Sequence, residues 1–338
     1  MYFENVCVLG LGRVDAPQAI TSSALEDRLG PALEKARMQR GLLYGLTGIE
    51  ERRFWDEGVQ PSTVAARAGA KALADAGIEG ERVGVLVSTS VCKDYVEPSV
   101  ASLVHGLLGL PAAALNFDVG NACLGFLNGM HIVGDMIERG HIDYGLVVDG
   151  ESSRFVVERT IERLLEADAD PATLRNQLAT LTLGSGAVAM VLARRDQHPE
   201  GHRLVGGVAL AATEYSDLCR GQVDYMETNA GMLLIRGLEL AERTFGLAQE
   251  ELGWHPDVLD LLAVHQVSAV HTARFTEKLN LDLDKVYKIY PHFGNVGPAS
   301  IPLVLSMARE EGRLLPGHRI ALMGIGSGLN CSMMEMIW

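Results

Sequence analysis

Short β-branched apolar runs alternate along the chain with longer segments whose apolar residues recur every three or four positions. The runs "VGVLVSTS" (83–90), "YGLVVDGE" (144–151), "AVAMVLAR" (187–194), "LDLLAVHQV" (259–267) and "RIALMGIGSG" (319–328) lack polar alternation, so they read as strands buried on both faces. The segments 61–77, 124–140, 231–252 and 298–314 read as amphipathic helices. Such alternation predicts an α/β chain. The opening "MYFENVCVLGLGRVDAP" carries an acidic residue where a signal peptide is basic, and reads as a first strand.

The pattern also repeats. In the first half a strand, a helix, "NFDVGNACLGF", a helix ending "MIERG" and the strand "YGLVVDG" follow one another. In the second half the order is a strand, a helix, "YPHFGNVGPAS", a helix ending "AREEGRL" and the strand "IALMGIG". Gly120-Asn121 thereby aligns with Gly294-Asn295. A period of half the chain predicts a duplicated domain, divided as 1–196 and 197–338. The stretch 154–180 has no counterpart and reads as a helical insertion in the first half.

Composition narrows the classes. The 338 residues are 48% hydrophobic, enough for a large core, and no segment has the ~20 uninterrupted apolar residues of a membrane span. A net charge of −14 without Lys/Arg clusters argues against nucleic acid, and weakly against acidic carrier proteins. Five scattered cysteines show neither disulfide nor metal-ligand spacing, which fits a reducing, cytoplasmic setting and no metal.

Several residues are candidates for chemistry. Cys123, between small residues before a helical pattern, reads either as a packed core thiol or as a nucleophile whose pKa a helix start lowers. His265 closes an apolar strand, where α/β sheets gather their chemistry; a hydrogen-bonded core histidine fits equally. His271 reads as an ordinary helical residue, and His292 is a rival to His265. Asn295, flanked by glycines, is either a turn residue or an oxyanion donor. "GIGSGLN" (324–330) lacks the lysine of a phosphate loop and suits a turn whose Gly326 or Ser327 N–H faces an oxyanion. "LGLGRV" (9–14) lacks the spacing of a dinucleotide fingerprint.

Taken together, "TGIEERRFW" (47–55), "FDVGNACLGF", "VHQVS", "GNVGPAS" and "GIGSG" resemble, in order and nearly end to end, the motifs of the thiolase superfamily of condensing enzymes. The resemblance implies a duplicated αβαβα five-layer fold with mixed sheets. It implies a Cys123–His265–Asn295 set, with the N–H of Cys123 and of Gly326 or Ser327 as oxyanion donors. Chain-starting ketoacyl synthases usually carry an aromatic residue before the Pro-Ser of "STSVCKDYVEPSVAS"; here stands Glu97. That resembles the branch that joins two fatty acyl-CoAs head to head in long-chain olefin biosynthesis, in which this loop enters the neighbouring subunit's site. The resemblance thus implies a homodimer, Glu97 as the base for an α-proton, coenzyme A only as part of the substrate, and downstream olefin-pathway enzymes as further partners. The Trp and Arg that hold coenzyme A in chain-starting synthases have no match in "MQRGLLYGLTGI", so its contacts stay unassigned. A malonyl-dependent, decarboxylative 3-oxoacyl-ACP synthase III is the alternative, and an inactive binding partner of the same fold a more remote one.

Overall fold

The computed structural model of the chain describes residues 2–166 and 171–338. Nine strands form one twisted mixed sheet, in the order Leu261–Val264, Arg319–Gly326, Asn330–Ile337, His202–Ala211, Val6–Asp15, Gly186–Arg194, Tyr144–Glu151, Val85–Ser88 and Leu115–Asp118. The pairings of Val85–Ser88 with both its neighbours, and of Leu261–Val264 with Arg319–Gly326, are parallel; the others are antiparallel. Within the sheet the halves are joined at the pairs Cys7 with Arg203 and Val8 with His202, extended by the bridge of Tyr2 with Gly206. All strands before residue 196 lie on one side of that seam and all later ones on the other. The mixed sheets implied by the sequence are thus continuous through hydrogen bonding.

Three hydrophobic clusters supply the helical layers. The central one joins Phe126, Met130 and Val133 of helix Gly125–Glu138 to Ile301, Val304 and Leu305 of helix Ser300–Glu310, between Val87 and Val147 of one half-sheet and Ala263 and Leu322 of the other. Helix Pro61–Ala76 covers the outer face of the first half-sheet, and helix Ala230–Leu252 that of the second. Helices therefore alternate with sheets in five layers. Strands Tyr144–Glu151 and Leu261–Val264 are buried along their whole length, as their unbroken apolar runs required.

The glycines of "LGLGRV" have a packing role. A Cβ on Gly12 would lie 2.1 Å from the Ala68 carbonyl oxygen, so only glycine lets helix Pro61–Ala76 approach the strand this closely. In the insertion, Arg154–Glu166 and Pro171–Gln177 are helical and share a separate core with helices Ser22–Arg28 and Gly30–Lys35; residues 167–170 lie outside the described residues.

Candidate active site

The two central helices and the strand ends beside them bring the candidate residues together. Cys123 sits in a single 3₁₀ turn, Ala122–Leu124, and helix Gly125–Glu138 begins only after it. The turn is sharp: Ala122 has φ +45°, a left-handed conformation that a small Cβ tolerates best. Asn121 braces it from both sides, donating to Asn128 Oδ1 at 2.7 Å and accepting from Asn330 Nδ2 at 3.1 Å. Leu124 packs against Gly324 and Gly326, so the closing glycine loop does lie beside Cys123, and Ser327 follows in the turn.

His265 follows strand Leu261–Val264 and is held by its N–H on the Met323 carbonyl at 2.8 Å. Its Nε2 lies 3.2 Å from Asn295 Oδ1. The same oxygen accepts the Gly297 N–H at 3.0 Å. A backbone N–H only donates, so Gly297 assigns the oxygen end of the Asn295 amide. His265 must then carry its proton on Nε2, and Asn295 Nδ2 is left as a free donor. At rest, His265 Nε2–H faces Asn295.

The Asn295 loop is pinned to the first half. Asn295 N–H donates to Thr182 O (2.8 Å), and Gly184 N–H to Asn295 O (2.9 Å). A Cβ on Gly184 would fall 1.9 Å from the Phe293 carbonyl oxygen, which explains the "LTLGSG" glycine. Arg52, of the "TGIEERRFW" stretch, is fully buried behind this contact, its Nη2 on Ser22 Oγ at 3.1 Å.

Electrostatics correct one expectation. Burial pushes the Cys123 thiol up to about 12, and the neighbouring Cys219, Glu151 and Asp149 add to the rise. Part of its surface stays open. Burial also holds His265 down to about 4. The resting pair is therefore neutral thiol and neutral imidazole, not thiolate and imidazolium.

Three polar groups at the site escaped the sequence reading, and His271, read as ordinary, belongs there too. His271 stacks edge-on against His265, with ring centroids 6.4 Å apart; its buried Nδ1 has no hydrogen-bond partner, and burial lowers its pKa to about 3. Gln266 is buried and accepts the N–H groups of Ile289 (2.8 Å) and Tyr290 (3.1 Å), fixing the start of the segment that leads to Asn295. Asp149 and Glu151 are buried at the end of strand Tyr144–Glu151, and burial raises both pKa values. Their i, i+2 spacing in an apolar run was the available signal. His292, by contrast, is exposed and faces Glu50 at 4.0 Å, outside this group.

Glu97 is not among the assembled residues. It stands on an exposed loop tip and has no hydrogen bond or ion pair to Cys123, His265 or Asn295 among the described residues.

A buried thiol, a neutral imidazole and an oriented carboxamide, meeting between the halves of a duplicated five-layer fold, define a thiolase-type acyl-transfer site. Family models for 3-oxoacyl-[acyl-carrier-protein (ACP)] synthase III and for its C-terminal part match residues 117–209 and 249–338. The acyl-CoA:acyl-CoA alkyltransferase of Xanthomonas campestris pv. campestris is 49% identical over 338 residues, the full length of both chains. The Shewanella oneidensis protein of that description is 37% identical, again over 100% of both. A crystal structure of cerulenin-bound X. campestris OleA aligns with a TM-score of 0.98 at 49% identity, over 100% of this chain and 98% of that one. A 3-oxoacyl-(acyl carrier protein) synthase III from Xanthomonas oryzae pv. oryzae aligns equally well, with a TM-score of 0.98, 50% identity and 100% of both chains. The chain belongs to the acyl-CoA:acyl-CoA alkyltransferase family of thiolase-fold condensing enzymes. Solved X. campestris OleA variants alter one glutamate, one cysteine and one histidine, spaced along that chain as Glu97, Cys123 and His265 are along this one.

Proposed function

We propose that this protein joins two fatty acyl-CoAs head to head, without decarboxylation, to give a 2-alkyl-3-keto acid, the first step of long-chain olefin biosynthesis. Coenzyme A enters only as part of the substrates. The observation that carries this reading is the carboxylate Glu97, set on the exposed tip of its loop. Losing CO₂ from a malonyl group yields a carbanion without a strong base, whereas two plain acyl-CoAs offer only an α-proton, which needs one.

Cys123 attacks the first acyl-CoA. Its proton ends on the departing CoA sulfur, leaving an S-acyl cysteine. The N–H groups of Cys123 and of Gly326 or Ser327 stabilise the tetrahedral oxyanion. The second acyl-CoA places its carbonyl oxygen against His265 Nε2–H and Asn295 Nδ2, and Glu97 of the partner subunit takes its α-proton. The carbanion attacks the cysteine thioester and expels the Cys123 thiolate, which recovers a proton. Hydrolysis of the resulting 2-alkyl-3-ketoacyl-CoA gives the keto acid and CoA.

A homodimer accounts for features that a monomer leaves exposed. Strand Leu115–Asp118 is an edge of the sheet, and Val91, Tyr95, Val96, Leu107 and Leu115 expose apolar surface near it. With one pure acyl-CoA as sole substrate, mass spectrometry is expected to find the condensed keto acid. Product that requires malonyl-CoA and releases CO₂ would instead establish the decarboxylative synthase.

A further inference from the structure

The loop that carries Glu97 is exposed at its tip but locked at its root. Residues 89–92 are fastened one by one to the end of strand Tyr144–Glu151. Thr89 Oγ1 donates to Asp149 Oδ2 (2.6 Å), and the Gly150 N–H to Ser90 Oγ (2.8 Å). The Val91 N–H donates to Glu151 Oε1 (2.6 Å), and Cys92 Sγ to Ser152 O (3.3 Å). Asp94 then accepts the Ser62 N–H (3.2 Å) at the start of helix Pro61–Ala76. Residues 95–98 follow with no such anchor and are exposed; Val96 is 95% accessible.

Glu151 grips the outer part of this root from inside the sheet, holding Val91 where Asp149 holds Thr89. It is 5% accessible and has no basic partner among the described residues. Beside it Asp149 is fully buried, and its Oδ1 has no fixed donor. Two buried carboxyls this close cannot both ionise, and a proton shared between them fills that vacant position. A buried carboxyl that serves packing alone is replaced with advantage by an apolar side chain, so its retention here asks for a task.

We propose that Glu151 is a positioning residue for Glu97, fixing the root of the 91–98 loop so that the tip enters the neighbouring subunit's site in register. This rests on the reading that Glu97 acts across a dimer. Glu151 also approaches Gly297, whose Cβ position is 4.0 Å from Oε2, so its alternative task is to steady Asn295 in its own subunit.

Mixed dimers separate the two. One subunit carries Cys123→Ala, the other Glu97→Gln; the sole productive pairing is Cys123 of the second with Glu97 of the first. Glu151→Leu is placed in either subunit, and condensation of a single acyl-CoA is measured beside CoA release from first acylation. Placed in the Glu97 donor, Glu151→Leu is expected to cut condensation on the order of 10²-fold, the effect of misplacing a reacting group by about 1 Å, with acylation unchanged. Glu151→Gln in the same subunit keeps an acceptor for Val91 and a donor for Asp149, and is expected to restore most of the rate, which also controls for folding. Loss only when Glu151→Leu shares a subunit with the working Cys123, equal loss from both placements, or loss from neither overturns the proposal. An inactive parent hybrid overturns the cross-dimer reading itself, and this proposal with it.

Discussion

A cysteine nucleophile held neutral at rest predicts an unusual response to alkylation. With the Cys123 thiol at about 12, the thiolate fraction at pH 7.5 is ~10⁻⁴ to 10⁻⁵, against ~10⁻¹ for an ordinary cysteine of pKa about 8.5. The free enzyme should therefore react with iodoacetamide roughly 10³-fold more slowly than a model thiol at neutral pH. The logarithm of the rate should climb with unit slope through pH 10, without a plateau. His265→Ala should leave this resting rate nearly unchanged, because an imidazole at about 4 donates no positive charge at rest. The assay is intact-mass kinetics of carbamidomethylation from pH 6 to 10, with peptide mapping to separate Cys123 from Cys92 and Cys219, the other partly open thiols. A plateau near pH 7, or fast labelling that His265→Ala abolishes, would show a preformed thiolate–imidazolium pair and refute the argument.

Three further outcomes are expected. Asn295→Ala removes a free Nδ2 donor and the acceptor of the Gly297 N–H, so condensation should fall by about 10²–10³ while one CoA per Cys123 is still released in a burst. His265 and His271, at about 4 and about 3, lie below the ~6.5 of an unfolded histidine. Their unfolded forms bind the extra protons, so their contribution to stability is complete above pH 6.5 and is lost as pH falls towards 4; His271→Phe should flatten the fall of Tm over that window. Leu115→Arg places a charge on the exposed edge strand and should give monomers by sedimentation velocity, with condensation lost and acylation retained.

The fold was legible because buried strands and amphipathic helices have different periods. The strand read at 144–151 is that element, and the helix read at 61–77 ends one residue earlier, at Ala76. The short turn at 122–124 was not legible, since a single left-handed alanine leaves no trace in hydrophobic pattern. His265 stood out as a polar residue closing an apolar strand, and Asn295 through its glycines and its alignment with Asn121 in the repeat. Asp149 and Glu151 stood in the same position as His265 and were passed over, because no motif drew attention to them. The Cys123 error is the most instructive. A helix start lowers a thiol's pKa through a dipole effect of ~0.3–1 kcal/mol, less than one unit. Cys123 is a turn short of that helix, and burial raises it by about three units from an ordinary thiol to about 12, or ~4 kcal/mol. Position along the chain reveals the smaller effect; the larger one exists only once the folded chain surrounds the sulfur. A thiol so placed reacts slowly until an acyl-CoA is bound to take up its proton, so the burial that defeats the local rule also protects Cys123 from adventitious electrophiles.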